Sequence, residues 1–286
     1  MRAEQVVLDS LRQWAEEDDN IRGMVLTSSR VNEDAVLDLM SDYDVEIYVT
    51  DQQCFAGGDE WLEAFGPVLI RWPACPAWDE EGGLYRLVIY EDGVRIDWGV
   101  KKAERIRRFN RPSEPYRVLV DKDRRVDNPL QTSYAGYNIT RPSKTEFDSV
   151  MHDFWWDLTY VAKSLWRDEI YWAKYMYGRR HFKELEKVIE WYIGMHHEWS
   201  VNTNKHGRWF KRYLDEDTLE EIDSTFAGAD IEENWTALFN MTRLFRRLSV
   251  AVAGELGFDY PHDSDRRVSA YMDKIRRLDP DAEDFV

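Results

Sequence analysis

The chain has 286 residues, 43% of them hydrophobic and 14% aromatic, which suggests two domains that can each bury a core. Acidic residues outnumber basic ones by 55 to 38, and the formal net charge of −17 disfavours binding to nucleic acid and to anionic membranes. Such a surface attracts polycationic small molecules, or serves solubility alone. Because the sequence has neither the apolar core of a signal peptide nor a run long enough to span a bilayer, we expect a cytoplasmic protein.

The first half of the chain mixes one helix with short strands. Apolar residues at helical spacing or in alternation predict a helix over 4–17 and strands over 23–27, 43–49, 85–90 and 94–100. The last two strands form a predicted hairpin, because Asp92-Gly93 is a favoured two-residue turn.

The second half is helical throughout. It begins at a break near 139–146, where Ser143 and Glu146 have the spacing of a capping box. The predicted helices cover 144–177, 179–199, 232–256 and 264–278. The fold class is therefore α+β, with a mixed-sheet domain over 1–141 and an all-α helical-bundle domain over 142–286 that is expected to complete a ligand cleft.

Two carboxylates in the strand 43–49 are the strongest candidates for chemistry. Alternate side chains of a strand share a face, so Tyr43 and Val45 point into a core while Asp42 and Asp44 point the other way. Asp97 lies opposite the apolar residues of its own strand in the same manner. If the two strands are neighbours, three carboxylates converge, and such a group can hold Mg²⁺ for an in-line phosphoryl displacement.

A plainer interpretation stays open at this point. Solvated acids on a wet sheet face also alternate with apolar residues, and Glu46 lies on the same face as Asp44. The Ser28-Ser29 turn upstream and Asp97 downstream favour the functional interpretation.

Four segments carry a resemblance to a known family: IRGMVLTSSRVN, SDYDVEIYVTD, GVRIDWGV and FWWDLTYVAKSLWRDEIYWAKYM. Together they resemble the aminoglycoside 6-adenylyltransferases (streptomycin adenylyltransferases) of the nucleotidyltransferase superfamily, which has the DNA polymerase β-type fold. The resemblance covers most of the chain. It implies a nucleotidyltransferase fold in the first domain and transfer of AMP from ATP to a hydroxyl of an aminoglycoside, with Mg²⁺ and release of pyrophosphate.

The resemblance also implies roles for residues of the first domain. Asp42 and Asp44 would hold the metal ions, and Asp97 would be a third metal ligand or the base that helps to deprotonate the acceptor hydroxyl. Ser28 and Ser29 would bind the phosphates, and the turn would contribute backbone amides. Arg30 would be a further phosphate contact, because its planar guanidinium matches phosphate geometry.

The turn departs from the family pattern at one position. The family usually has Gly-Ser, and here Ser28 replaces the glycine. A serine is expected to cost about 1 kcal/mol in strain if the turn keeps a backbone conformation suited to glycine.

In the helical domain, Lys163 is the candidate contact to the ATP triphosphate. Asp157, Asp168 and Glu169 are candidate contacts to the ammonium groups of the acceptor, and solvated helix charges are the alternative for all four residues. The aromatic residues of this region are expected mainly in the core, with one or two available to stack on adenine or a sugar: Trp155, Trp156, Tyr160, Trp166, Tyr171 and Trp172. The histidines are expected at the surface or at helix caps. No Walker A lysine loop is present, which argues against an ordinary ATPase.

Two other functions remain compatible with the sequence. The same chemistry could serve another cationic metabolite or a protein as acceptor. Alternatively, the chain could be a catalytically silent nucleotide-binding homologue, for which Ser28 is the only support in the sequence.

Overall fold

The computed structural model of the chain describes residues 1–33, 35–109, 115–126 and 134–285. The chain divides into two compact units, Met1–Gly136 and Tyr137–Val286, whereas the sequence placed the domain boundary after residue 141. The large apolar clusters lie within single units, so each unit has a core of its own. Within the described ranges, no helix is both long and apolar enough to cross a membrane.

The first unit contains a mixed sheet of six strands. Its helices and strands are α1 (Glu4–Glu17), β1 (Ile21–Thr27), β2 (Tyr43–Val49), α2 (Gln53–Ala56), β3 (Val68–Trp78), β4 (Leu84–Tyr90), β5 (Arg95–Lys102) and β6 (Arg117–Asp121). The strand order is β3-β4-β5-β2-β1-β6. β2 and β5 run parallel, and the other neighbouring strands are antiparallel. The predicted hairpin is present as β4 and β5, and the predicted mixed sheet is confirmed.

The apolar alternation of the central strands decides which face of the sheet is covered. In β2 the side chains of Tyr43, Val45, Ile47 and Val49 are buried, and β5 buries Ile96, Trp98 and Val100 in the same way. They belong to one cluster with the apolar stripe of α1, since a half-buried strand and an amphipathic helix bury complementary faces. The polar residues at the alternate positions are thereby left on the other face of the sheet.

Two strands of the first unit were not predicted. β3 contains Pro73 and Pro76, which weaken a strand prediction because proline cannot donate a ladder hydrogen bond. It lies at the sheet edge, where one side needs no donors. β6, the other edge strand, is only five residues long.

The regular secondary structure of the second unit, within its described residues, is entirely helical. Its longer helices are α3 (Lys144–Trp166), α4 (Ile170–Arg180), α5 (Glu186–His196), α7 (Glu216–Asp223), α8 (Ile231–Leu256) and α9 (His262–Arg277), and the short α6 (Phe210–Tyr213) precedes α7. The Ser143 hydroxyl accepts a hydrogen bond from the backbone N–H of Glu146 at 3.2 Å, so the predicted cap of α3 is confirmed. α8 and α9 agree with the predictions to within two residues at each end.

The prediction of one continuous helix over 144–177 was wrong. α3 ends at Trp166, and the chain turns through Asp168 at a φ of 58° before α4 begins. Aspartate tolerates this left-handed conformation better than most residues, and the segment has no glycine or proline to mark the break. The prediction of one helix over 179–199 was also wrong, because a π-helical turn over His181–Leu185 precedes α5.

Candidate functional site

Asp44 and Asp97 occupy directly paired positions on two parallel strands. The register of β2 against β5 aligns Tyr43 with Ile96 and Asp44 with Asp97. Asp42 immediately precedes β2, and its carboxylate lies 3.5 Å from the guanidinium of Arg95. The pairing of the two strands, on which the predicted convergence of the three acids depended, is therefore present.

The electrostatics of Asp44 reflect this crowding. Burial, together with the nearby charges of Asp97 and Asp42, raises the pKa of its carboxyl to about 6. A hydrogen bond from the Ser28 side chain acts in the opposite direction. Ionisation of Asp44 is therefore energetically unfavourable unless a cation lies close to its carboxylate.

Glu46 shares the face of Asp44 but belongs to a separate ion pair. Its carboxylate accepts hydrogen bonds from Lys101 at 2.6 Å and from the Tyr48 hydroxyl at 2.7 Å. Glu46 therefore has its own counter-charge, and the plainer interpretation of a structural surface acid applies to it.

Arg95 is a member of the carboxylate group that the sequence interpretation missed. Its Nε and Nη2 each lie 2.8 Å from an oxygen of Asp97, in the bidentate arrangement typical of arginine and carboxylate. The signal was available in the sequence, because Arg95 precedes Asp97 by two residues and so shares its strand face.

The Ser28-Ser29 turn follows β1 directly. Ser28 is exposed and has a φ of 62°, the left-handed conformation that favours glycine, so the turn keeps the geometry in which a serine is strained. The Ser29 hydroxyl has no hydrogen-bond partner in the described part of the chain. It is consequently the more available of the two hydroxyls for a ligand.

Arg30 holds the main chain that leads into β2. Its guanidinium donates hydrogen bonds to the carbonyl oxygens of Asp42 at 2.9 Å and Ser41 at 2.6 Å. It also lies 3.3 Å from the Glu4 carboxylate and 3.6 Å from the centroid of the Tyr43 ring. With only 7% of the side chain exposed, Arg30 is placed to position Asp42, and its predicted contact to phosphate stays a prediction.

The donor set of Asp42, Asp44 and Asp97 fits a hard divalent cation by its chemistry. All its ligand atoms are carboxylate oxygens, and a cation would relieve the repulsion that raises the pKa of Asp44. In the described arrangement, two of the three carboxylates are ion-paired with Arg95. No three His, Cys, Asp or Glu side chains among the described residues are close enough to hold one ion as they stand.

A pocket of about 570 Å³ in the helical unit contains Lys163. Its walls come from α3 and α9 and include Trp156, Tyr160, Arg267 and Tyr271. The ammonium of Lys163 lies 4.4 Å from the Tyr160 ring centroid and pairs with no carboxylate among the described residues. Two cationic side chains beside aromatic rings suit an anionic ligand that carries an aromatic group.

The core assignment for the aromatics of this region holds only in part. Trp155 is buried, but Trp156 is 58% exposed and lines the pocket of Lys163. Tyr171 and Trp172 are exposed on α4, so their assignment to the core was wrong. Lys174 lies on the separate helix α4, where its ammonium donates to the carbonyl of Ala227 and to the side chain of Asn234.

The predicted acceptor-binding acids lie in two different settings. Asp157 is 3.1 Å from the buried guanidinium of Arg180, so its charge is already partly compensated. Asp168 and Glu169 are exposed at the break between α3 and α4, and neither forms an ion pair with any described residue. The structure therefore brings Asp168 and Glu169 together and leaves Asp157 in an internal ion pair.

Comparisons with known proteins give consistent matches over nearly the whole chain. A family model described as streptomycin adenylyltransferase matches residues 1–275. An aminoglycoside 6-adenylyltransferase of Bacillus subtilis (strain 168) is 32% identical over 96% of this chain and 98% of its own length. One of Campylobacter jejuni is 31% identical over 95% of both chains. A crystal structure of an aminoglycoside 6-adenyltransferase from Bacillus subtilis is 28% identical, covers 97% of this chain and 100% of that one, and has a TM-score of 0.49.

Proposed function

Because the chain belongs to the streptomycin adenylyltransferase family, we propose that it transfers AMP from ATP to a hydroxyl of streptomycin, with Mg²⁺ and release of pyrophosphate. The coarser statement, that the chain is an aminoglycoside adenylyltransferase, follows from its family and its relatives. The observation that supports the proposal most is the pairing of Asp44 with Asp97 on adjacent parallel strands, with the Ser28 side chain bonded to Asp44.

The chemistry that we assign to the first unit is electrostatic. Asp42, Asp44 and Asp97 would hold Mg²⁺, which when bound neutralises phosphate charge as the α-phosphate is attacked. Asp97 serves as a ligand or as the base that receives the proton of the acceptor hydroxyl. Arg30 fixes the main chain of Asp42 through two hydrogen bonds, and fixed geometry favours a reaction between bound groups.

Phosphate binding in the first unit is assigned to the Ser28-Ser29 turn. The Ser29 hydroxyl and the strained turn at Ser28 are suited to phosphate oxygens, because a turn of this kind exposes backbone N–H groups. Lys163 lies in a pocket with aromatic walls and has no carboxylate partner among the described residues, which supports its assignment to an anionic ligand.

The acceptor is assigned by charge. A net charge of −17 attracts a polycation, and Asp168 and Glu169 present two exposed carboxylates without internal partners in the described structure. Asp157, which is ion-paired with Arg180, would contribute a further carboxylate to binding of the acceptor.

The test is a product assay with purified protein, ATP, Mg²⁺ and streptomycin. We expect adenylylated streptomycin by mass spectrometry, pyrophosphate in equal amount, and neither product when EDTA replaces Mg²⁺. Product with another aminoglycoside in a panel, but none with streptomycin, would contradict the acceptor assignment alone. No product with any aminoglycoside, despite binding of ATP and Mg²⁺, would contradict the enzymatic proposal.

A further inference from the structure

Arg95 forms ion pairs with two of the three carboxylates of the candidate site, Asp97 and Asp42. Its guanidinium contacts both oxygens of Asp97 at 2.8 Å and approaches Asp42 at 3.5 Å. The Arg95 side chain is 38% exposed, so it has room to move away from the cluster.

Other acids of the first unit have cations of their own. Glu46 pairs with Lys101 at 2.6 Å, and Asp59 pairs with Arg71 at 2.7 Å. Arg95 brings one positive charge to Asp97 and Asp42, and Asp44 adds a third carboxylate beside Asp97, so this guanidinium alone leaves an excess of negative charge when all three are ionised. A divalent cation would balance that excess.

We propose that Arg95 is a built-in counter-cation of this carboxylate group, and that a divalent cation must displace its guanidinium from Asp97 in order to bind. The proposal rests on the assignment of the three acids to a metal ion under the proposed function. Both oxygens of Asp97 accept hydrogen bonds from Arg95, so any ion at Asp97 would share an oxygen with a positive group, and like charges at that separation repel. Arg95 thereby holds Asp42 and Asp97 in place before the ion arrives and lowers the affinity of the group for it.

The experiment compares binding of MnCl₂ to the full chain without nucleotide, by calorimetry, in the wild type and in Arg95→Gln. We expect Arg95→Gln to bind Mn²⁺ about tenfold more tightly, because one charge-assisted interaction no longer competes. In EDTA the same variant should unfold at a lower temperature than the wild type, since the carboxylates have lost their counter-charge. Mn²⁺ should then raise its unfolding temperature by more than it raises that of the wild type.

Arg71→Gln is the matched control. It removes one positive charge from the same sheet and breaks an arginine–aspartate pair of similar length, but at Asp59. Its affinity for Mn²⁺ should equal that of the wild type. Arg95→Lys, which keeps the charge without the bidentate fork, should lie between the wild type and Arg95→Gln, and it replaces the latter if that variant does not fold.

The possible outcomes separate this inference from the proposed function. Equal or weaker Mn²⁺ binding by Arg95→Gln, with wild-type binding abolished by Asp44→Asn, would overturn the counter-cation role and leave the metal assignment intact. Absence of Mn²⁺ binding in every variant would contradict the metal assignment itself.

Discussion

Asp44 and Glu46 show how two acids on one strand face can differ in their contribution to stability. Glu46 is bonded to Lys101 and Tyr48, whereas Asp44 faces Asp97 and Asp42 and has a pKa raised to about 6. The folded pKa of Asp44 lies above its ordinary value, so ionisation of this carboxyl at neutral pH opposes folding.

We therefore expect Asp44→Asn to stabilise the protein while it abolishes activity. At pH 7 without divalent cations, the free energy of unfolding should rise by about 1 kcal/mol, a value reduced for the partial exposure of the site. The rate of AMP transfer should fall by orders of magnitude. Urea unfolding and the product assay measure the two effects.

Glu46→Gln is the control for this prediction. It removes the same charge from the same strand but leaves Lys101 without its partner, so it should leave stability unchanged or lower it. If both variants gain stability equally, the effect belongs to the overall negative charge, and the carboxylate cluster does not explain it.

Ser28 allows the strain of the turn to be measured. Ser28→Gly and Ser28→Ala both remove the hydroxyl that bonds to Asp44, but only glycine adopts a φ of 62° without a steric penalty. The glycine variant should therefore be more stable than the alanine variant by about 1 kcal/mol in urea unfolding. Equal stabilities would mean that the turn relaxes out of the left-handed conformation.

The two arginines near the site show which residue contacts can be predicted from the sequence and which cannot. Arg95 could be placed on the face of Asp97 by strand alternation alone. The contacts of Arg30 to the carbonyl oxygens of Ser41 and Asp42 could not be predicted in this way, because they join residues more than ten positions apart through tertiary packing.

At the scale of elements, the apolar periodicity of the sequence correctly predicted the strands and helices that form from local sequence preferences. β2 and β5 were identified from apolar alternation, and their pairing follows from burying two apolar strands in one sheet. The break at Asp168 and the π-helical turn have no marker in the sequence, since both segments keep an apolar spacing compatible with a continuous helix. At these two places, tertiary packing determines the conformation of the backbone.

The π-helical turn also places His181 in the core, where the sequence predicted a surface or capping histidine. Its Nε2 lies 2.9 Å from the Thr225 hydroxyl, which itself donates to the carbonyl of Ile222. Nε2 is therefore the protonated nitrogen, and the buried Nδ1 has no partner among the described residues. Burial, with a smaller contribution from Lys174, lowers the pKa of His181 to about 4.

This histidine should make the protein less stable in acid. Above pH 6.5 it is neutral in both states, but between 6.5 and about 4 only the unfolded state binds the proton, so the free energy of unfolding falls by roughly 2 kcal/mol over that range. His181→Gln keeps a donor for Thr225 and does not titrate. Its stability relative to the wild type should rise as the pH falls, as measured by urea unfolding at several pH values.

His206→Gln is the matched control, because His206 is 75% exposed and lies beside Glu186. Its stability relative to the wild type should not rise in acid. A parallel acid dependence of the wild type and His181→Gln would show that other groups control the loss, such as Asp265, whose pKa the hydrogen bond from Arg246 holds below its usual range.

At the scale of the whole molecule, the division into two units follows from composition more directly than the exact boundary does. Each unit has enough apolar residues for its own core, and the clusters do not mix. The boundary itself depends on which residues of the connection pack against which unit, and sequence periodicity carries no information about that.

The net charge predicts opposite salt dependences for the two substrates. Raising the ionic strength from about 0.01 M to 0.15 M shortens the Debye length from roughly 30 to 8 Å and screens attraction between an acidic protein and a cation. The KM for streptomycin should rise several-fold over this range, while the KM for ATP, an anion, should stay constant or fall.

Two double variants, each lacking two carboxylates, identify which acidic residues cause the salt dependence of the streptomycin KM. Asp168→Asn with Glu169→Gln should weaken the salt dependence of the streptomycin KM, because these exposed carboxylates are the predicted contacts of the cation. Asp281→Asn with Glu283→Gln removes the same charge from exposed positions after α9 and should keep the wild-type dependence. If both pairs weaken it equally, the acceptor responds to the overall field of the protein, and the assignment of Asp168 and Glu169 to direct contact is contradicted.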